Sequence, residues 1–131
     1  MKYLLDTNVV VRALRGNQRI AARPDRVHDA DIAISIVTTL ELLYGAAKAN
    51  DVASAMSSAL ELVTPWETLP IAPIAREYGI EKARLAMTGQ IISEFDLIIG
   101  VTGVSHGYTV VTDNVKHLGR IRGITIENWQ R

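Results

Sequence analysis

Short apolar runs alternate along this chain with longer stretches of helical period. Lys2 to Leu5 reads as a strand, and Val9 to Leu14 starts a helix that fades near Gly16. Ile32 to Ile34 is a second strand, after which Ser35 is placed to cap a helix from Ile36 to Ala47. Asp51 caps the next helix, where Val52, Ala55, Met56, Ala59, Leu60 and Val63 recur at helical spacing and predict an amphipathic face. Trp66 to Leu69 is a third strand. A long helix starts near Pro73, with Ile74, Tyr78 and Leu85 on its apolar side and Gly89 at its end. A capped helix from about Glu94 to Ser105, a strand from Tyr108 to Val111, a short helix from Val115 to Leu118 and a strand from Ile124 to Ile126 complete the pattern.

This alternation predicts an α/β fold, with a central, mostly parallel sheet of about five strands covered by helices on both faces. Ligands in such folds sit at the carboxyl ends of the strands. Asp6 closes the first strand and Asp113 follows the fourth almost at once, so both are expected at that edge.

Composition narrows the picture. A chain of 131 residues, 48% hydrophobic and 21% charged, suits one globular domain spanning 1–131. It contains no cysteine, which removes disulfides and thiolate metal sites. The run Tyr3 to Leu5 stops at Asp6, far short of a signal-peptide core, and Ile32 to Val37 and Leu97 to Val104 fall well below the roughly 18 residues of a spanning helix. The expectation is a soluble, cytoplasmic protein with no membrane partner. Fourteen basic residues balance fourteen acidic ones, so no global positive field draws it to nucleic acid. Locally, Arg12, Arg15, Arg19, Arg23 and Arg26 share a segment with a single acid, Asp25. That strip is either a phosphate-contacting surface, led by Arg12 and Arg15, or an ordinary solvated face.

The candidate chemistry lies in four isolated acids, Asp6, Glu41, Asp96 and Asp113, each in or against an apolar stretch. A carboxylate buried without a partner costs several kcal/mol, so such surroundings demand hydrogen bonds or a cation. Helix capping offers a simpler account for three of them. Asp6 or Asn8 suits the start of the first helix, Asp113 or Asn114 the start of the short one, and Ser93-Glu94-Phe95-Asp96 matches a capping box. Capping cannot explain Glu41, which lies inside a helix among Leu40, Leu42 and Leu43. With Thr38 and Gly45 it forms a narrow polar and small stripe, as a helix facing a polar cavity would show.

The runs Leu4-Leu5-Asp6-Thr7-Asn8, Ser35-Ile36-Val37-Thr38 with Glu41-Leu42-Leu43-Tyr44-Gly45, Asp96-Leu97-Ile98-Ile99 and Val111-Thr112-Asp113-Asn114 closely resemble PIN-domain ribonucleases, and more narrowly VapC-type toxins. The likeness runs from Lys2 to Glu127-Asn128-Trp129. It implies a PIN-like three-layer sandwich with Asp6, Glu41, Asp96 and Asp113 around one metal pocket, and Mg²⁺- or Mn²⁺-dependent endonuclease activity on RNA. Hard divalent ions do prefer carboxylate oxygens and keep several waters, one of which, acidified by the metal, can attack phosphorus in line. In this assignment Asp6 and Asp96 lead as metal ligands, with Glu41 and Asp113 binding directly or through water. Thr7, Asn8, Thr112 and Asn114 are donors that hold the carboxylates in place. The resemblance also implies 5′-phosphate and 3′-hydroxyl products, a VapB-like antitoxin and a homodimer; the Val52 to Val63 stripe is either part of the antitoxin's groove or plain core packing. The chain departs from the family pattern at Gly100 and Gly103, which lower helix propensity after the third acid, and at Gly89 to Ser93, a turn without the usual proline.

Rival functions leave different marks. A phosphatase of the haloacid dehalogenase type needs a second Asp two residues after the first, where this chain has Asn8. A histidine-based ribonuclease needs paired imidazoles, and His28, His106 and His117 are scattered. A degenerate PIN-like module that only binds RNA or protein loses one or more acids, and all four are present here.

Overall fold

The computed structural model describes residues 1–16 and 23–129. Five parallel strands form one sheet in the order β3-β2-β1-β4-β5, where β1 is Tyr3–Leu5, β2 Ile32–Ser35, β3 Glu67–Leu69, β4 Thr109–Val111 and β5 Ile126–Glu127. The helices are α1 Thr7–Arg15, α2 Ile36–Ala47, α3 Val52–Val63, α4 Ala75–Met87, α5 Glu94–His106 and α6 Val115–Leu118, with 3-10 turns at Asp29–Asp31 and Ala72–Ile74.

The central strands explain the layering. Side chains alternate across a strand, so Tyr3 and Leu5 face one side of the sheet and Leu4 the other. Tyr3, Leu5, Ile32, Ile34 and Val111 pack with Val10 of α1 and with Ala59 and Leu62 of α3. Leu4, Ala33 and Val110 pack on the opposite face with Leu85 of α4 and with Leu97 and Ile99 of α5. Fully burying side chains such as Leu4, Leu5 and Ile34 contributes about 1.5–3 kcal/mol each, which helps offset the cost of seating Asp6 directly behind the run.

Several boundaries differ from expectation for local reasons. The first helix begins at Thr7 rather than Val9, because Asp6 is itself the cap and accepts from the Thr7 amide. The helix expected near Pro73 is a 3-10 turn followed by α4 from Ala75. On α3, Leu60 is 46% exposed and Val52 is also outward, while Ala59, Leu62 and Val63 are buried. The buried face is therefore rotated toward Leu62, where the sheet lies.

Gly100 and Gly103 do not interrupt α5. A Cβ at Gly100 would collide with Ile121 Cδ1, and one at Gly103 with Val110 Cγ2, so the two glycines let α5 lie close against β4 and the Ile121 turn. Packing overrides the propensity loss. Gly107, at φ 70°, ends the helix in the left-handed conformation that glycine adopts without strain.

Candidate functional site

Strand order sets the position of the site. From β1 the chain runs outward through β2 to β3 on one side, then returns to β4 and β5 on the other, so the order reverses between β1 and β4. A crevice opens at the carboxyl ends of two such strands. Leu5 pairs with Val111, which puts Asp6 and Thr112 side by side at that edge, and the Asp6 amide still donates to Val111 O at 2.9 Å.

Asp6 is 3% exposed and has donors on both carboxylate oxygens. The Thr7 amide donates to Oδ1 at 2.8 Å and the Thr112 hydroxyl to Oδ2 at 2.7 Å. The Thr112 oxygen also accepts from the Asn114 amide at 2.9 Å, so the turn after β4 holds the hydroxyl in place. Burial nonetheless raises the Asp6 pKa above the ordinary carboxylate range, opposed by the Thr112 and Thr7 hydrogen bonds and reinforced by the negative charges of Asp96 and Glu41.

Glu41 reaches the same place from α2, which Ser35 caps by accepting from the Val37 amide. The Thr7 hydroxyl donates to Glu41 Oε1 at 2.6 Å and lies 2.9 Å from the Thr38 hydroxyl. Thr7 has one hydroxyl proton, so Thr38 is the donor in their contact. Thr7 thus ties Asp6 to Glu41 with its amide and its side chain. Thr38 was visible one turn before Glu41 in the polar stripe, yet the sequence pattern did not mark it as part of the site.

Asp96 stands in the first turn of α5, where Ser93 Oγ accepts its amide at 3.3 Å. Only that half of the capping box forms; the carboxylate instead faces Asn114 Nδ2 at 3.4 Å. Asp113 is turned elsewhere: its Oδ2 accepts from Arg12 NH1 at 3.0 Å. Capping does not account for the 113–114 pair, since Asn114 caps α6 without a side-chain bond. Asn8 is exposed, and among the described residues it holds no carboxylate.

The arginine strip divides. Arg12 and Arg15 are exposed on the last turn of α1, and Arg15 lines with Glu41, Leu42 and Ala55 a cavity of about 410 Å³ between α1, α2 and α3. Arg23 binds Asp29 and Val27 O, and Arg26 pairs with Glu127, so both are committed to the fold. Arg19 lies outside the described residues. His106 Nδ1 lies 2.9 Å from Thr102 O, an intrahelical contact.

The sequence model of the PIN domain matches residues 3–123, from the first strand past the short helix α6. The chain belongs to the PIN-domain family. Relatives extend over nearly its whole length. It is 30% identical to the ribonuclease VapC2 of Rickettsia felis, covering all of both chains, and 28% identical to the tRNA(fMet)-specific endonuclease VapC of Shigella flexneri over 98% of each. Among solved structures, it matches the DNA-bound VapBC of Salmonella typhimurium with a TM-score of 0.87 at 28% identity, covering 99% of each chain. The promoter-bound VapBC2 of Rickettsia felis matches at 0.83, also at 28% identity. Within the PIN family the chain therefore groups with the VapC-type ribonucleases. The phosphatase alternative is overturned, since the family match includes the segment where such an enzyme needs a second Asp and this chain carries Asn8.

Nucleases of the PIN family generally work with divalent metal ions. The donor set here suits one, because every candidate ligand is a hard carboxylate oxygen and the charges of Asp96 and Glu41 act on Asp6. Among the described residues, no group of three or more His, Asp or Glu side chains is gathered closely enough to hold an ion as it stands. Mg²⁺ needs few direct protein ligands and keeps several of its waters. Among the described residues no helix is long and apolar enough to cross a membrane.

Proposed function

We propose that residues 1–131 act as one PIN-like domain with Mg²⁺- or Mn²⁺-dependent endoribonuclease activity, as the toxin of a VapBC-type pair in the cytoplasm. The observation that carries this reading is the hydrogen-bond chain through Thr7, Thr112 and Asn114 that links Asp6, Glu41 and Asp96 at the β1–β4 crevice. Asp6 and Asp96 are the leading metal ligands, and Glu41 binds directly or through water. A bound divalent ion supplies neutralisation of charge on the phosphate and a lowered pKa for the attacking water.

The chain's own residues supply the geometry. Two donors, the Thr7 amide and the Thr112 hydroxyl, fix the Asp6 carboxylate in place at the sheet edge. Thr7 fixes the Glu41 carboxylate, a group that can accept a proton from water. Asn114 holds Asp96 at the start of α5, and Arg12 and Arg15 offer positive charge at the rim.

Support for RNA as substrate comes from the ribonuclease and tRNA endonuclease relatives, and tRNA is accordingly the first substrate class to try. Support for a VapB-like antitoxin comes from the VapBC complexes among similar structures and from the apolar cavity beside Glu41. Exposed Ile80 and Met87 on α4, with Ile91 after it, favour a homodimer. The test is to incubate purified tRNA, ribosomal RNA and messenger RNA with the protein and Mg²⁺ or Mn²⁺, and to map fragment ends. Discrete cuts with 5′-phosphate and 3′-hydroxyl ends are expected. Cyclic phosphate ends, or cutting that persists in EDTA, would refute the metal-dependent route.

A further inference from the structure

Among the described residues, Asp113 is the only one of the four acids paired with a cation. Asp6, Glu41 and Asp96 are held by neutral amides and hydroxyls, whereas Asp113 accepts from Arg12 NH1 at 3.0 Å. We infer that Asp113 is a positioning residue that anchors Arg12 at the rim of the pocket, where the guanidinium contacts a phosphate of the RNA strand, while Asp6, Glu41 and Asp96 hold the metal. The inference rests on the metallonuclease reading and narrows the role of its fourth acid.

Three features of the pair support this. The side chains of Arg12 and Asp113 are 41% and 29% exposed, and a pair so placed contributes little to stability, so its value lies in fixing a side chain. Asp113 is also the only partner of the Arg12 side chain among the described residues, which leaves the other guanidinium N–H groups free for the planar, two-point contact that phosphate oxygens favour. Finally, charge balance separates the roles. Three carboxylates already outweigh one divalent ion, so a fourth uncompensated acid would repel the incoming phosphate more strongly. Arg12 cancels that charge. One turn further along α1, Arg15 lines the cavity that Glu41 also lines, and Arg12 is tied to Asp113, the neighbour in sequence of the Thr112 that donates to Asp6.

Two binding series on the purified protein test the assignment. In the first, a fluorescent single-stranded RNA is titrated in EDTA, so that nothing is cut, at several salt concentrations. Arg12→Gln is expected to weaken binding about 3- to 10-fold and to lower the slope of log affinity against log salt by about one. The double variant Arg12→Gln with Asp113→Asn should bind better than Arg12→Gln alone, because an orphaned negative charge has been removed. In the second, Mn²⁺ is titrated by electron paramagnetic resonance without RNA. Asp113→Asn should keep wild-type Mn²⁺ affinity within about twofold, whereas Asp96→Asn loses roughly 10- to 100-fold or more. Mn²⁺ affinity lost in Asp113→Asn as in Asp96→Asn would make Asp113 a metal ligand and overturn the inference. So would RNA affinity and salt slope unchanged in Arg12→Gln. Wild-type protein that binds no Mn²⁺ would overturn the metallonuclease reading itself, an outcome distinct from either.

Discussion

The Thr112 hydroxyl donates to Asp6 Oδ2 at 2.7 Å across the seam between β4 and β1, joining two strands whose residues lie more than a hundred positions apart. That bond supports a carboxylate which burial and two neighbouring acids would otherwise drive toward its neutral form. Replacing Thr112 with Val keeps the shape and removes the donor. We expect Mn²⁺ affinity to fall about 10- to 100-fold, with a stability loss of about 1–3 kcal/mol near neutral pH. Calorimetric titration of the metal measures the first, and unchanged affinity would mean that Thr112 does not prepare Asp6 for binding.

Asp6 also gives a pH dependence with a definite sign. Its folded pKa is raised above the ordinary value of 3.8, so the folded state holds the proton more tightly than the unfolded chain does. The stability this group contributes is present below the ordinary value and is lost as pH rises through the folded value. In metal-free protein, Asp6→Asn should therefore gain stability over wild type as pH rises toward 7, and the gain should vanish near the ordinary Asp value. Thermal unfolding in EDTA across pH measures this. A variant that is less stable at pH 7, with the loss growing as pH rises, would make Asp6 a net structural acid.

Glu81 has the opposite sign and no place in the site. It is buried on α4, bound by Arg84 and by the Arg122 amide, and the Arg84 hydrogen bond leads the effects that hold its pKa below the ordinary 4.5. Its contribution is present above that value and is lost as pH falls through the folded pKa. Glu81→Gln should cost about 1–3 kcal/mol at neutral pH, less in acid, and leave Mn²⁺ affinity unchanged. Denaturation at pH 7 and pH 4 checks the sign.

Gly103 tests the close approach of α5 to the sheet. Gly103→Ala improves helix propensity but drives a methyl group into Val110, so we expect a net loss of about 1–3 kcal/mol. A more stable variant by urea unfolding would show that β4 can yield.

Much of this architecture is legible in the sequence because the central strands are continuous apolar runs ending on polar residues. Leu4-Leu5-Asp6 and Val110-Val111-Thr112 mark both the strands and the edge where the candidate site lies. Ser35 and Asp51 show where α2 and α3 begin, since a cap depends only on adjacent residues. Contacts between distant segments were hidden. No periodicity reveals that the Thr7 hydroxyl reaches Glu41, that the Asn114 side chain faces Asp96 instead of bonding the α6 amides, or that Arg12 pairs with Asp113. The packing role of Gly100 and Gly103 was hidden for the same reason, since propensity describes an isolated helix and these glycines serve a neighbour.

The most direct test of the metal-dependent nuclease is cleavage of structured RNA by purified, antitoxin-free wild type and Asp96→Asn, each with Mn²⁺ and with EDTA. The expected result is discrete fragments from wild type with Mn²⁺ alone, and intact RNA from a folded Asp96→Asn under both conditions. Equal cleavage by Asp96→Asn, or by wild type in EDTA, would contradict the account and move the chemistry away from the β1–β4 crevice.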